Sequence, residues 1–277
     1  MAELTGKTFL VTGANTGIGK ETVRNLAGRG ARVVIAGRSE EKNRAAIREI
    51  ADDTGNTDLD WIPLDLGDLA SVRAAAATFL ASVDRLDVLI NNAGLAGKRG
   101  MTQSGFELAF GTNHVGTFLF TELLRDKVAE TGPGRIVNVA STGHYRAKGI
   151  DWDAVRKPTV TRTAFDEYCV SKLANVLHAQ ELGRRMAGTG VTTYSLHPGA
   201  IASDVWREVP PGLRQVMKLF MKSTADGAKT SIYCATSPDV GDATGRYYDN
   251  QREKQPSKVV TPELAAELWE RSEAWVA

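Results

Sequence analysis

A glycine-rich turn follows the first apolar run of the chain, in Thr8-Phe9-Leu10-Val11-Thr12-Gly13-Ala14-Asn15-Thr16-Gly17-Ile18-Gly19. The run Thr8–Val11 predicts a buried strand, and the residues after Gly19 have the pattern of a helix. Glycines permit positive φ and let a backbone approach a phosphate closely. A strand, a glycine turn and a helix N-terminus in succession predict a cradle for a diphosphate. The alternative is a tight turn that binds nothing.

Further apolar runs alternate with longer helical patterns along the rest of the chain, which is typical of an α/β protein with a parallel sheet. We therefore predict one Rossmann domain over residues 1–277, a doubly wound parallel sheet with helices on both faces. The predicted strand order is 3-2-1-4-5-6, with the proline-terminated third strand near an edge and Gly245–Asp249 as a late edge strand. The runs that predict strands two to six are Arg32–Ala36, Leu59–Pro63, Asp87–Asn91, Arg135–Val139 and Thr192–Leu196.

Bulk composition excludes several classes of function. The 34 Lys and Arg residues against 33 Asp and Glu residues leave a net charge of +1, and the charges are interspersed, so a nucleic acid partner is not expected. The two cysteines lack the spacing of a zinc site, and no metal is predicted. The polar N-terminus and the absence of an 18-residue apolar run predict no membrane span. Two cysteines without the spacing of a disulfide framework predict a reduced, cytoplasmic location. A homo-oligomer is left open.

A tyrosine and a lysine mark the candidate reacting centre. Tyr168 and Lys172 are four residues apart in a helical pattern, so both side chains can face one ligand. A phenol with a pKa of about 10 is a poor base at neutral pH, and a nearby ammonium favours the phenolate. Ser141, at the end of the fifth predicted strand, could reach a substrate carbonyl, and Asn113 lies in a helical stretch. Taken singly, these residues are more typical of a helix surface or a turn than of a reacting centre.

The cofactor's identity is predicted from the end of the second strand. An NAD site usually has an acidic residue there, about 20 residues after the glycine turn, whereas this chain has Arg38 and Ser39. Arginine can bind a 2′-phosphate and a serine hydroxyl can add a hydrogen bond, so we predict NADP(H). The alternative for Arg38 is a solvated surface arginine. Asp65 could accept from the adenine amino group or could cap a helix, and Asn91–Gly94 would lie against the adenosine.

These motifs together, with His197-Pro198-Gly199, resemble the short-chain dehydrogenase/reductase superfamily from Lys7 to about Asp249. The resemblance implies that Tyr168 is the general acid/base, that Ser141 positions the carbonyl, and that Lys172 lowers the tyrosine pKa and holds ribose. It implies that Asn113 supports a water of the proton relay. The motifs and the resemblance give a predicted cofactor-binding set: Gly13, Asn15, Thr16, Gly17, Ile18, Gly19, Arg38, Ser39, Asp65, Leu66, Asn91, Ala93, Gly94, Tyr168, Lys172, Pro198, Gly199 and Ile201.

Within the superfamily the chain is similar to the retinol dehydrogenase and WW-domain oxidoreductase-like branch, in residues 12–22 and 168–177 and in the long interval between Ser141 and Tyr168. Two segments are predicted to shape the pocket: an extended loop at about 142–163, carrying His144, Tyr145 and Trp152, and an apolar lid at about 200–225. Ordinary packing is the alternative for both segments. Because no membrane anchor precedes the first strand and no WW domains are present, a specifically retinoid substrate is not expected.

The sequence therefore predicts an NADP(H)-dependent oxidoreductase that interconverts a small hydrophobic alcohol and its aldehyde or ketone. The alternative is a catalytically silent regulator that binds NADP(H) through the same fold. Such a protein would not need the reacting tyrosine and lysine, and Tyr168 and Lys172 are both present.

Overall fold

The computed structural model describes residues 3–199 and 223–277, which fold as alternating strands and helices. The strands are β1 Thr8–Thr12, β2 Arg32–Gly37, β3 Leu59–Pro63, β4 Val88–Asn91, β5 Arg135–Val139, β6 Thr192–His197, β7 Arg246–Asp249 and β8 Arg252–Lys254. The helices are α1 Gly17–Gly28, α2 Glu40–Thr54, α3 Leu69–Ser82, α4 Leu108–Phe110, α5 Gly116–Glu130, α6 Phe165–Arg185, α7 Thr224–Thr236 and α8 Pro262–Val276.

One sheet orders the described strands as β3-β2-β1-β4-β5-β6-β7-β8. The pairs from β3 to β7 are parallel, so the predicted order is confirmed. Strand β3 lies at an edge, where Pro63 opposes Gly37 and its missing N–H costs no ladder hydrogen bond. The predicted late strand exists as β7, but it is not an edge: β8 pairs antiparallel outside it, after a turn through Asn250 and Gln251 at positive φ.

Helices cover both faces of the sheet, as the alternation along β1 requires. Leu10 points into one core, with residues of α3, α5, α6 and α8. Phe9 and Val11 point into the other, with residues of α1 and α7. Successive strand side chains face opposite sides, so a strand buried on both faces reads as a continuous apolar run. The predicted single α/β domain is confirmed for the described residues.

A π-helical turn, Gly111–Val115, separates α4 from α5 and carries Asn113. Glycines lie at its start and directly after its end. A Cβ at Gly111 would overlap the side chain of Thr102, and a Cβ at Gly116 would overlap the carbonyl of Leu66 in the segment after β3. The helix can therefore approach both segments closely at this turn, which fixes where Asn113 lies.

Helix α8 packs across α5 and α6. Trp269 is buried edge-on against Phe118, with ring centroids 4.9 Å apart. His114, in the π-helical turn, is hydrogen-bonded through Nε2 to Ser272 Oγ at 2.8 Å. The C-terminal helix thus reaches directly to the turn that carries Asn113.

Candidate active site

The carboxyl ends of the parallel strands open into a cavity of about 560 Å³. This is where an open α/β sheet is expected to bind a ligand. Three of the predicted catalytic and cofactor-binding residues do not line the cavity: Ser39, Asn91 and Asn113. Ile201 lies outside the described residues. The predicted residues that do line it are Gly13, Asn15, Thr16, Gly17, Ile18, Gly19, Arg38, Asp65, Leu66, Ala93, Gly94, Ser141, Tyr168, Lys172, Pro198 and Gly199.

The glycine turn is shaped for close approach of a ligand to backbone. Gly13 and Gly17 have φ of 64° and 60°, a region that side chains with a Cβ rarely adopt. A Cβ at Gly13 would lie 2.8 Å from Ala93 Cα, so the turn packs directly on the end of β4. Helix α1 begins at Gly17 and has no acidic residue in its first turn. Its N-terminus is therefore suited to an anion, and the turn fits the diphosphate of a dinucleotide.

Asn92, which the predicted cofactor-binding set omits, holds the glycine turn. Its Nδ2 donates to the carbonyl oxygens of Thr12 (2.9 Å) and Gly13 (3.1 Å). The neighbouring Asn91, which was predicted to contact cofactor, instead donates to Thr121 and Asn138 inside the protein. The two asparagines face different ways because Asn91 still belongs to β4 and Asn92 is the first residue beyond it.

Arg38 is an exposed cation at the cavity rim, and it makes no hydrogen bond or ion pair with any residue in 3–199 or 223–277. The hydroxyl of Ser39 accepts from Lys42 N and caps α2, and Ser39 does not line the cavity. Asp65 lines the cavity and accepts from Gly67 N at 2.9 Å. The cap of α3 is Asp68, so the alternative of a helix cap at Asp65 is wrong.

Tyr168 lies in the first turns of α6 and is almost completely buried. Burial raises the pKa of Tyr168 to about 12, and a hydrogen bond with Ser141 opposes this rise in part. Ser141 ends the segment after β5, and its Oγ also accepts from Gly143 N at 3.1 Å. The phenol is therefore protonated at neutral pH, and it lies close enough to the hydroxyl of Ser141 for that group to affect its pKa.

Lys172 shares the face of α6 with Tyr168, as the four-residue spacing predicts. Its Nζ is 5.8 Å from the centre of the phenol ring and donates to the carbonyl of Val139 at 2.8 Å. Burial lowers the pKa of Lys172 to about 8. The expected lowering of the tyrosine pKa is not seen in this structure, because burial of the phenol outweighs the opposing interactions and Lys172 is itself desolvated.

Asn113 is fully buried behind Lys172 instead of lining the cavity. Its Oδ1 accepts from Leu95 N at 2.9 Å, and its Nδ2 donates to Leu95 O at 3.0 Å and to Ser171 Oγ at 2.9 Å. A Cβ at Gly94 would lie 3.3 Å from Asn113 Oδ1 and 3.2 Å from Lys172 Nζ. Asn113 thus ties the strand end before the cavity to the helix that carries Tyr168 and Lys172.

Other cavity residues were not predicted from the sequence. Phe165 lies next to Tyr168 with its ring nearly parallel, at a centroid distance of 6.1 Å. His197, which precedes the predicted Pro198 and Gly199, also lines the cavity and accepts from Thr142 N. The segment between β4 and α4, with the first residue of α4, gives a further wall, formed by Leu95, Ala96, Lys98, Met101, Thr102, Gln103 and Leu108. No local pattern marks this segment, because it is irregular chain folded over the cavity.

The extended loop contributes less to the cavity than expected. Only its first two residues in the described structure, Thr142 and Gly143, line the wall. Tyr145 donates from its hydroxyl to Gln255 O, and Trp152 packs near Trp275. The predicted lid at 200–225 lies almost wholly outside the described residues.

Two kinds of site are not found in the described ranges. No group of three or more His, Cys, Asp or Glu side chains is placed to hold a metal ion. None of the helices assigned there has both the length and the apolar character that crossing a bilayer requires.

Comparison with known proteins assigns the chain to a family. Residues 7–152 match the family model for short chain dehydrogenases. Human dehydrogenase/reductase SDR family member 13 is 42% identical, over 98% of this chain and 74% of that protein. Mouse retinol dehydrogenase 11 is 43% identical, over 90% of this chain and 79% of that protein. A short chain dehydrogenase from Escherichia coli CFT073, solved in complex with NADPH, superposes with a TM-score of 0.73 at 25% identity, over 91% of this chain and 99% of that one. The chain therefore belongs to the short-chain dehydrogenase/reductase family, in its retinol dehydrogenase-like branch.

Proposed function

We propose that this protein is an NADP(H)-dependent oxidoreductase that interconverts a hydrophobic alcohol and its aldehyde or ketone. The observation that carries the proposal is the pairing of Tyr168 with Ser141 inside a cavity whose other end is a glycine turn suited to a diphosphate. The relatives named as retinol dehydrogenases support alcohol chemistry, and the NADPH complex of the structural neighbour supports the cofactor.

The choice of NADP(H) over NAD(H) depends on the end of β2. Arg38 is exposed and unpaired among the described residues, so binding a 2′-phosphate breaks no ion pair with residues 3–199 or 223–277. Gly37, before it, offers no carboxylate, and a Cβ there would lie 2.9 Å from the side chain of Asn43. Arginine donors in charge-assisted hydrogen bonds recognise phosphate well. Gly13, Gly17 and the α1 N-terminus would hold the diphosphate, and Lys172 would hold ribose.

When bound, NADPH supplies a hydride to the substrate carbonyl carbon. The protein's part is to position the carbonyl oxygen and to deliver a proton to it. Tyr168 is protonated at neutral pH, so its Oη can donate that proton, and Ser141 Oγ can hydrogen-bond to the same oxygen. In the direction of alcohol oxidation the phenolate is needed, and the charge of Lys172 below a pKa of about 8 favours it. Phe165 gives the substrate an apolar neighbour beside the phenol.

The proposal is tested by NADPH oxidation with aliphatic, aromatic, retinoid and steroid carbonyls. Tyr168→Phe keeps the ring and the fold but removes the proton, so kcat should fall by about 10²–10⁴ while NADPH still binds. Tyr233→Phe, on α7 and away from the cavity, is the matched control and should behave as wild type. NADPH binding without turnover of any carbonyl would favour a silent regulator, and turnover by Tyr168→Phe at the wild-type rate would refute the assigned acid.

A further inference from the structure

His144 lies in the short 3-10 helix Thr142–Tyr145, which begins directly after Ser141, and its side chain is fully buried. Both nitrogens of its ring are hydrogen-bonded. Nδ1 lies 2.7 Å from the carbonyl oxygen of Ser141, and Nε2 lies 3.1 Å from the backbone nitrogen of Ser257, in the segment between β8 and α8. The ring therefore links the backbone at Ser141 to Ser257, which lies 113 residues beyond His144 in the chain.

The two partners fix the tautomer of the ring independently. A carbonyl oxygen can only accept, so Nδ1 must carry the proton that it donates to Ser141. A backbone N–H can only donate, so Nε2 must be without a proton to accept from Ser257. Burial lowers the pKa of His144, which also favours a neutral ring. The tautomer with a proton on Nδ1 satisfies both contacts without strain on either.

The carbonyl oxygen of Ser141 accepts two hydrogen bonds from His144, one from the ring and one from the backbone nitrogen at 3.1 Å. Tyr145 and Tyr247 pack on the imidazole, with centroid distances of 3.9 and 4.7 Å, and leave it little room to rotate. The peptide plane after Ser141 sets the direction of its Cα–Cβ bond, and hence where Oγ lies relative to Tyr168. A small displacement of a hydroxyl that must meet one substrate oxygen costs rate steeply.

We propose that His144 is a positioning residue for the reaction: its Nδ1–H holds the carbonyl of Ser141 and so places the serine hydroxyl beside the phenol of Tyr168, while the hydrogen bond from Ser257 fixes the tautomer that can donate. The proposal rests on the proposed function, in which Ser141 touches the substrate oxygen. His144 itself acts through Ser141 and does not line the cavity.

Two substitutions separate the two hydrogen bonds. Asparagine has its Nδ2 three bonds from Cα, as histidine has Nδ1, so His144→Asn can keep the bond to Ser141 and loses the one to Ser257. Glutamine has Oε1 four bonds from Cα, as histidine has Nε2, so His144→Gln can keep the bond from Ser257 and loses the one to Ser141. We expect His144→Gln to lower kcat roughly tenfold, since one hydrogen bond is lost at the serine, and His144→Asn to recover most of that rate. The Kd of NADPH should change less than twofold in both.

Tyr145→Phe is the matched control. It removes the hydrogen bond that the Tyr145 hydroxyl donates to the carbonyl oxygen of Gln255, two positions before Ser257, and leaves the contacts of Ser141 unchanged. We expect its kcat to equal that of wild type. Equal losses of kcat in His144→Asn and His144→Gln, or a loss in Tyr145→Phe as large as in His144→Gln, would overturn the proposal, because docking of the C-terminal segment alone would then explain the effect.

A second measurement needs no turnover. NMR of the protein labelled with ¹⁵N-histidine should show the ring of His144, assigned by its loss in His144→Gln, as neutral with the proton on Nδ1 at pH 7. A proton on Nε2, or on both nitrogens, would overturn the proposed tie. If wild-type enzyme turned over no carbonyl yet showed this tautomer, the proposed reaction would fail and the tie to Ser141 would stand.

Discussion

Replacement of Arg38 by alanine tests the cofactor preference most directly. Arg38 is exposed at the cavity rim and has no partner among the described residues, so the substitution removes no interaction within residues 3–199 and 223–277. Any loss of NADPH affinity then reports contact with the cofactor. A hydrogen bond to a charged group contributes about 1.5–3 kcal/mol, and an exposed site in salt belongs at the lower end of that range. We expect NADPH to bind about 10- to 30-fold more weakly, since 1.4 kcal/mol is a factor of ten.

NADH, which lacks the 2′-phosphate, should bind Arg38→Ala as it binds wild type. Arg48→Ala is the matched control, because Arg48 is an exposed arginine of α2 that does not line the cavity and its loss changes the net charge equally. Titration calorimetry at two ionic strengths and the ratio of kcat/KM for the two cofactors measure the effect. A wild-type preference for NADH, an unchanged ratio in Arg38→Ala, or an equal loss in Arg48→Ala would refute the reasoning.

Two further substitutions test the site and the fold. Lys172→Met should abolish most turnover yet stabilise the ligand-free protein at pH 7 by up to about 3 kcal/mol. The reason is that the folded-state pKa of Lys172 lies near 8, and below that pH the buried charge lowers the stability of the folded protein by its full amount. The difference from wild type in urea unfolding should shrink as pH rises from about 8 to 10.5, and a difference that stays constant would contradict this origin. Gly116→Ala, whose Cβ would overlap the Leu66 carbonyl, should destabilise the protein by roughly 1–3 kcal/mol. Gly28→Ala, which meets only a methyl group of Thr54 at 3.7 Å, should be neutral or stabilising by up to about 1 kcal/mol, and similar effects of the two would show that close approach at Gly116 is unimportant.

The sheet was predictable because its determinants are local. The continuous apolar run in β1 indicated burial on both faces, and Pro63 indicated an edge. The outer strand β8 was not found, since all three of its residues are exposed and charged and no alternation marks them. Its existence depends on pairing with β7 rather than on its own composition.

The candidate site was predictable where spacing decides geometry. Tyr168 and Lys172 share a helix face for that reason, and the glycines mark the turn. The different directions of Asn91 and Asn92 depend on the residue at which β4 ends, and strand ends are poorly defined by pattern. The π-helical turn around Asn113 depends on how closely Gly111 and Gly116 approach Thr102 and Leu66, which no local pattern contains.

Two buried hydrogen bonds imply that part of the candidate active site forms late in folding. His114 and His144 are joined to Ser272 and Ser257 across 158 and 113 residues of chain, whereas the glycine turn needs nothing beyond Ala93 for its closest contact. Contacts distant in sequence form late, and during synthesis their partners leave the ribosome last. The diphosphate cradle can therefore take shape while the surroundings of Ser141 and Asn113 are still incomplete, and a nascent chain should gain the capacity to bind dinucleotide before the capacity to use it.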